Sequence, residues 1–154
     1  MTMNMKQSII IDFLKSIIDK KVKQGITDVR HIAILIPKNG LKRIDSQRII
    51  IGENISLGKG RGSIHAEENA INKLKSIESK NKKLIMIVIR VARSGIIGMS
   101  RPCSHCLWKI RNFIPMKGYK ISRLIYSNGN NDTLIVCSNY HINTLDTHVS
   151  SYYK

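Results

Sequence analysis

The chain has 154 residues, enough for one domain with a buried core that needs no disulfide bonds. Three cysteines, two of them at C-x-x-C spacing, exclude a disulfide framework and indicate a reducing compartment. The formal net charge of +16 suggests a nucleic-acid partner, but abundant Ile, Lys and Asn are also typical of A/T-rich coding sequences. The basic residues are dispersed and aromatic residues make up only 5% of the chain, so charge alone leaves a polyanion partner open.

The first predicted elements are a helix and two paired strands. Apolar residues repeat at helical spacing from about residue 6 to residue 24, and the charges among them argue against a signal peptide or a membrane span. "HIAILIPKNG", residues 31–40, predicts a strand that ends in an Asn-Gly turn. "QRIIIGEN", residues 47–54, predicts the strand that pairs back, and "SLGKGRGS", residues 56–63, predicts a glycine-rich loop.

The remaining elements complete one mixed sheet. "SIHAEENAINKL", residues 63–74, predicts a helix, and the nearly continuous apolar run at residues 82–93 predicts a central strand covered on both faces. "SGIIGMSRP" predicts a loop, after which Pro102 is well placed to start the helix "CSHCLWKIRNFI". "SRLIYS" and "TLIVCS" are separated only by "NGNND", too short for a crossover helix, and therefore predict an antiparallel hairpin. The order α-β-β-α-β-α-β-β predicts a single α/β domain over residues 1–154.

Two helix starts carry the residues that suggest chemistry. His65 and Glu67 open the second helix, and Cys103 and Cys106, one helical turn apart, open the third. Cys103 follows His65 by 38 positions, which suffices for a helix, a strand and a return and can place the two helix starts side by side. One imidazole and two thiolates make three ligands of a tetrahedral Zn²⁺ and leave the fourth position to water. A carboxylate beside that metal can move protons between water and substrate, which gives Glu67 a catalytic role.

A redox C-x-x-C pair next to a helix-capping glutamate is the alternative. It would leave both His65 and Pro102 without a purpose, so the zinc site is the preferred prediction. His105, between the two cysteines, is predicted to be a solvated helix residue, since a fourth protein ligand would exclude the water. Cys137 is predicted to be a buried thiol within a strand.

"HAE" at residues 65–67 and "PCSHC" at residues 102–106 closely resemble the cytidine and deoxycytidylate deaminase superfamily, whose signature is H-x-E followed by P-C-x-x-C. The resemblance implies a three-layer cytidine deaminase-like fold, with a mixed five-stranded sheet between helices. It also implies zinc-dependent hydrolytic deamination, with ammonia as the leaving group. The identity is confined to the two motifs, while the order of elements fits over nearly the whole chain.

Four residues are candidates for substrate binding. Several deaminases, notably those acting on tRNA adenosine, have an asparagine in a place similar to that of Asn54, where it contacts the sugar or base; the alternative is an ordinary turn asparagine. Lys59 and Arg61, in the glycine-rich loop, are expected near the pocket mouth and could contact a substrate phosphate. Arg101 is a second phosphate candidate, and a solvated loop arginine is the alternative.

The substrate class stays open at this point. The C-terminal hairpin resembles the free-cytidine branch, because the tRNA adenosine and deoxycytidylate branches usually place a helix between those strands. Free-cytidine enzymes, however, commonly have cysteine where His65 stands, and "HAEENAI" is closer in wording to the other two types. We expect a cytosine nucleoside or nucleotide substrate, with a polynucleotide deaminase as the alternative and an inactive zinc-stabilised binding module as the third reading. We further expect a cytoplasmic protein without membrane partners, possible nucleic-acid contact and homo-oligomer formation.

Overall fold

The computed structural model describes residues 12–17, 19–20, 31–37, 49–58, 60–78, 81–91, 97–129 and 134–138. The described part of helix α1 comprises residues 12–17 and 19–20, α2 is Ala66–Lys73 and α3 is Ser104–Met116. The strands are β1 His31–Pro37, β2 Ile50–Glu53, β3 Ile55–Ser56, β4 Ser63–Ile64, β5 Lys82–Val91, β6 Ile97–Gly98, β7 Tyr119–Ser127 and β8 Leu134–Ser138. None of the helices in these ranges is long and apolar enough to cross a membrane.

The main sheet has the order β2-β1-β5-β7-β8, which confirms the predicted mixed five-stranded sheet. Strand β5 lies at its centre, antiparallel to β1 and parallel to β7. Strands β7 and β8 are antiparallel neighbours, as the short connection between them predicts. The segment predicted as a loop before Pro102 contains β6, which adds two antiparallel residue pairs at the end of β5.

Alternation along β5 divides the core between the two faces of the sheet. Leu84, Met86 and Val88 belong to one buried cluster, which also contains residues of α2 and α3. Ile85, Ile87 and Ile89 belong to a second cluster on the other face. That second cluster includes Leu14 of α1, which is fully buried. Successive side chains of a strand face opposite sides of a sheet, so an apolar run along β5 is what a central strand between two helical layers requires. The architecture is therefore three-layered.

The glycine-rich segment predicted as a loop before α2 connects the two short strands of a small hairpin. Strands β3 and β4 pair Ile55 with Ile64. The backbone N of Leu57 donates to the carbonyl of Gly62, and the N of Arg61 donates to that of Gly58. This hairpin carries the chain from β2 directly into the start of α2.

The C-terminal ends of α2 and α3 are bonded to each other, far from the N-termini of the two helices. Gly118 has a φ of 94°, a conformation that favours glycine and ends α3. The Nζ of the preceding Lys117 donates to the carbonyls of Ile71 and Leu74, at 2.6 and 2.7 Å. Helix α2 begins three residues later and ends one residue earlier than the stretch predicted at residues 63–74. Lys117 binds carbonyls at its C-terminal end. The two helices are thus held side by side, which brings their N-termini together.

Candidate metal centre and active site

His65 sits at the N-terminus of α2 and is not used to cap it. It is the N-cap residue, with extended φ and ψ of −70° and 157°, and its side chain makes no capping hydrogen bond. The capping hydrogen bond is made instead by Asn54, whose Oδ1 accepts from the backbone N of Ala66 at 2.7 Å. One of the unsatisfied N–H groups of the first turn is thereby bound from the preceding strand. The imidazole of His65 contacts the two cysteines of α3.

Helix α3 presents its ligands in the same way. Cys103 is the N-cap, in an extended conformation and without a side-chain capping bond, and Cys106 follows one turn later. The loop that leads to Cys103 is fixed to the sheet by Ser100, which is 2% exposed. Its Oγ donates to the carbonyl of Val88 at 2.7 Å, and the backbone N of Ser127 donates to that Oγ at 2.8 Å. The position of Cys103 is therefore set by buried contacts with β5 and β7.

The donor atoms of His65, Cys103 and Cys106 form one compact cluster. The Nδ1 of His65 lies 3.6 Å from the Sγ of Cys103 and 3.4 Å from the Sγ of Cys106. All three donor atoms lie within 4.8 Å of one another. Tetrahedral coordination with Zn–N of about 2.0–2.1 Å and Zn–S of about 2.3 Å requires N···S separations of about 3.5 Å. The predicted ligand set is thus spaced as a tetrahedral zinc site requires.

The charges of this cluster suit a metal. Cys106 and His65 stabilise the Cys103 thiolate by hydrogen bonds and lower the pKa of Cys103 to about 3, although burial opposes this. Cys106 shares its proton with that thiolate and is itself buried, so its pKa is raised. The pKa of His65 is raised by its hydrogen bond with Cys103, and the charge of Glu67 adds to the effect. The cluster therefore holds a thiolate before a cation binds.

Glu67 is buried two residues after His65, and its charge acts on His65 and Cys106 of this cluster. Its side chain is 2% exposed, and its Oε2 has no hydrogen-bond partner in the described part of the chain. The Nε2 of His31, the first residue of β1, lies 3.9 Å from its Oε1. A buried carboxylate with an uncommitted oxygen, beside three metal-binding atoms, is placed to exchange a proton with a bound molecule.

Comparison with protein families agrees with this geometry. The model of the cytidine and deoxycytidylate deaminase zinc-binding region matches residues 40–121, more than half of the chain, and this range includes all three ligands and Glu67. The chain belongs to the cytidine and deoxycytidylate deaminase family. The donor set and the family together identify the cofactor as Zn²⁺. No curated protein matches the sequence significantly.

The substrate-binding candidates of this deaminase domain have different surroundings. Asn54 binds the start of α2 through its Oδ1, a helix-capping role that was not foreseen. Arg61 lies in the turn of the β3–β4 hairpin and is exposed, and Lys59 lies outside the described residues. Arg101 is half-buried, and its Nε is shielded from solvent without a hydrogen-bond partner in the described part of the chain. Substrate contact by these four residues stays a prediction.

A clamp between α2 and α3 lies beside the deaminase site. Glu68 forms an ion pair with Lys109, and the Nε2 of His105 lies 3.7 Å from its Oε2. His105 is therefore turned towards Glu68, and that it is not a ligand stays a prediction. The sequence gives no signal for the Glu68–Lys109 pair, because it depends on how the two helices pack. The same is true of His31, which is far from the other site residues along the chain.

Proposed function

We propose that the protein is a zinc-dependent hydrolytic deaminase that converts the cytosine base of a nucleoside or nucleotide to uracil and releases ammonia. The observation that carries the chemistry is that Glu67 is buried two residues after His65 and that its charge acts on both His65 and Cys106 of the cluster. Three protein ligands leave one tetrahedral position for water, whereas structural zinc sites use four. This arrangement supports catalysis over a purely structural zinc.

Each part of the site has a defined task in the proposed reaction. When bound, zinc lowers the pKa of water and so supplies a nucleophile at neutral pH. The carboxylate of Glu67 would move both protons of the attacking water, one to the ring nitrogen beside the reacting carbon and one to the departing amine, so that the carbon keeps a carbonyl oxygen and the amine leaves as ammonia. Burial of Glu67 keeps bulk water from competing for that proton and strengthens its interactions with charge that develops on the base.

The preference for cytosine rests on the C-terminal hairpin. Strands β7 and β8 pair antiparallel over five residue pairs, from Arg123–Ser138 to Ser127–Leu134. An antiparallel hairpin at this place resembles the free-cytidine branch of the superfamily. The family match includes deoxycytidylate deaminases as well, so both nucleosides and monophosphates are candidates. If the substrate is a monophosphate, Arg101 and Arg61 are the residues in the described ranges that we propose to bind its phosphate.

A substrate panel tests the proposal. Zinc-loaded protein is incubated with cytidine, deoxycytidine, their monophosphates, single-stranded DNA, RNA and tRNA, and amine-to-carbonyl exchange is scored by mass spectrometry. The Glu67→Gln variant, purified in parallel, controls for contaminating deaminases. We expect one cytosine nucleoside or nucleotide to react well ahead of the others, because pockets that hydrogen-bond their ligand discriminate by about 10⁴–10⁵.

A polynucleotide deaminase is the second candidate, favoured by the net charge of +16. Its signature would be reaction of polymers alone, with a rate that falls steeply as salt concentration rises. Inosine formed in tRNA would likewise contradict the cytosine proposal while leaving the zinc chemistry in place.

A further inference from the structure

His31 is a polar group in the deaminase site that neither motif contains. It is the first residue of β1 and pairs with Arg90 at the end of β5. Its Nε2 is shielded from solvent, has no hydrogen-bond partner in the described ranges, and lies 3.9 Å from the Oε1 of Glu67. The Oε2 of Glu67 is likewise shielded from solvent and has no hydrogen-bond partner in the described ranges. Buried polar atoms are almost always paired, so two such atoms side by side in a site indicate a ligand that pairs with both.

The distance between the two side chains indicates which atoms carry hydrogen. Burial lowers the pKa of His31 more than the charge of Glu67 raises it, so the imidazole is neutral and has one donor and one acceptor nitrogen. A carboxyl group offers an acceptor oxygen. A donor at Nε2 would be drawn to within about 3 Å of the buried carboxylate, whereas two acceptors stay apart. The separation of 3.9 Å therefore favours an acceptor at Nε2.

We infer that His31 accepts a hydrogen bond from the amino group of the substrate base, and that it selects the amine over the carbonyl product. This rests on the proposed function. An exocyclic amine carries two hydrogens and suits a pair of acceptors, His31 Nε2 and the Glu67 carboxylate. The carbonyl oxygen that replaces it is itself an acceptor, so the same pair disfavours the product. His31 thus acts as a specificity-determining residue that also promotes product release.

Two substitutions test this role. His31→Phe keeps a planar ring but has no acceptor, and His31→Gln restores an acceptor oxygen. We expect His31→Phe to raise the KM for the amine-bearing substrate about tenfold, the worth of one hydrogen bond. The inhibition constant of the uracil product should stay the same or fall, and His31→Gln should recover part of the loss in KM. His105→Phe is the matched control and should change neither constant.

A structural role for His31 would weaken substrate and product binding equally, and that outcome overturns the inference. Zinc content and circular dichroism of each variant establish that the site is intact. If His31→Phe does not fold, His31→Leu, which also lacks an acceptor, is compared with His31→Gln in its place.

The tautomer separates this inference from the proposed function. Imidazole ¹⁵N NMR of zinc-loaded wild-type protein, without substrate, should show His31 Nε2 without a proton. A protonated Nε2 overturns the inference whatever the substrate is. An unprotonated Nε2 together with no turnover of any cytosine compound would overturn the proposed function and leave the acceptor pair standing. The same variants would then be scored on the amine of the panel that does react.

Discussion

The side chain of Asn54 and the backbone of Ala66 are joined by a hydrogen bond of 2.7 Å, which ties the end of β2 to the first residue of α2. This bond does at the helix start what an N-cap side chain normally does, while the actual N-cap residue, His65, faces the cysteines. A residue nominated for substrate contact therefore has a structural role at the metal centre. The two roles are separable, because only the Oδ1 of the amide is used in this bond.

Asn54→Ala is expected to lower the free energy of unfolding by about 1 kcal/mol, the usual cost of a lost cap, and to weaken zinc binding. Asn54→Asp keeps an acceptor and should retain both stability and zinc, since a negative charge is favourable at a helix N-terminus. Urea denaturation and chelator competition measure the two quantities. If Asn54→Asp binds zinc normally but loses turnover, the amide nitrogen is needed for substrate. Wild-type stability in Asn54→Ala would contradict the capping role.

Zinc binding is expected to release protons and to weaken as the pH falls. The raised pKa of Cys106 keeps that thiol protonated in the metal-free protein at neutral pH, so the ligand loses one proton when zinc binds. Because the pKa of His65 is raised, its imidazole is protonated at pH values below that pKa and releases a second proton when zinc binds. Cys103, with a pKa of about 3, adds none in this range. The affinity should therefore rise roughly tenfold per pH unit above the pKa of His65, and more steeply below it.

Calorimetry in buffers of different ionisation enthalpy counts the released protons. About two are expected at about pH 6, where zinc-bound water, with a pKa of about 7, is still largely protonated. Release of three at that pH would mean that Cys103 is not a thiolate in the metal-free protein. Equal zinc content in wild type and in Cys103→Ala would contradict the ligand assignment itself.

The parts of this structure that could be predicted are those that local sequence patterns determine. The apolar run of β5 predicts a strand covered on both faces, and its odd and even residues do line two separate cores. The metal ligands were predictable because each group stands at the start of a helix, with a fixed spacing. His31 was not, because a single histidine before an apolar run has no pattern of its own. Its place beside Glu67 results from the packing of α2 on β1, which no local signal encodes.

Glu67 and Glu68 are adjacent in sequence, but substitution of the first should lower the reaction rate and substitution of the second should lower stability. Glu67→Gln is expected to keep its zinc and its fold and to lose about 10²–10⁴ in rate, because the amide cannot carry the proton. Glu68→Gln should keep a turnover rate within roughly a few-fold of wild type. It should lower the free energy of unfolding, because Glu68 joins α2 to α3 through its ion pair with Lys109. Steady-state kinetics, metal analysis and urea denaturation on both variants make the comparison. Loss of zinc from Glu67→Gln would make that residue a ligand and contradict the mechanism.

Gly52 of β2 is expected to control how closely α2 approaches the sheet. A Cβ at this position would lie 2.3 Å from the carbonyl oxygen of Ala66 and 2.4 Å from the N of Ala70, both backbone atoms of α2. Gly52→Ala must therefore displace the helix, at a cost of about 1–3 kcal/mol or more for an overpacked core. Because α2 carries His65 and Glu67, its displacement should also weaken zinc binding. Gly98→Ala is the matched control, since its nearest atoms would be 3.8 Å away or farther. That substitution should change stability by less than about 0.5 kcal/mol, and equal effects of the two in denaturation and chelator competition would contradict this account.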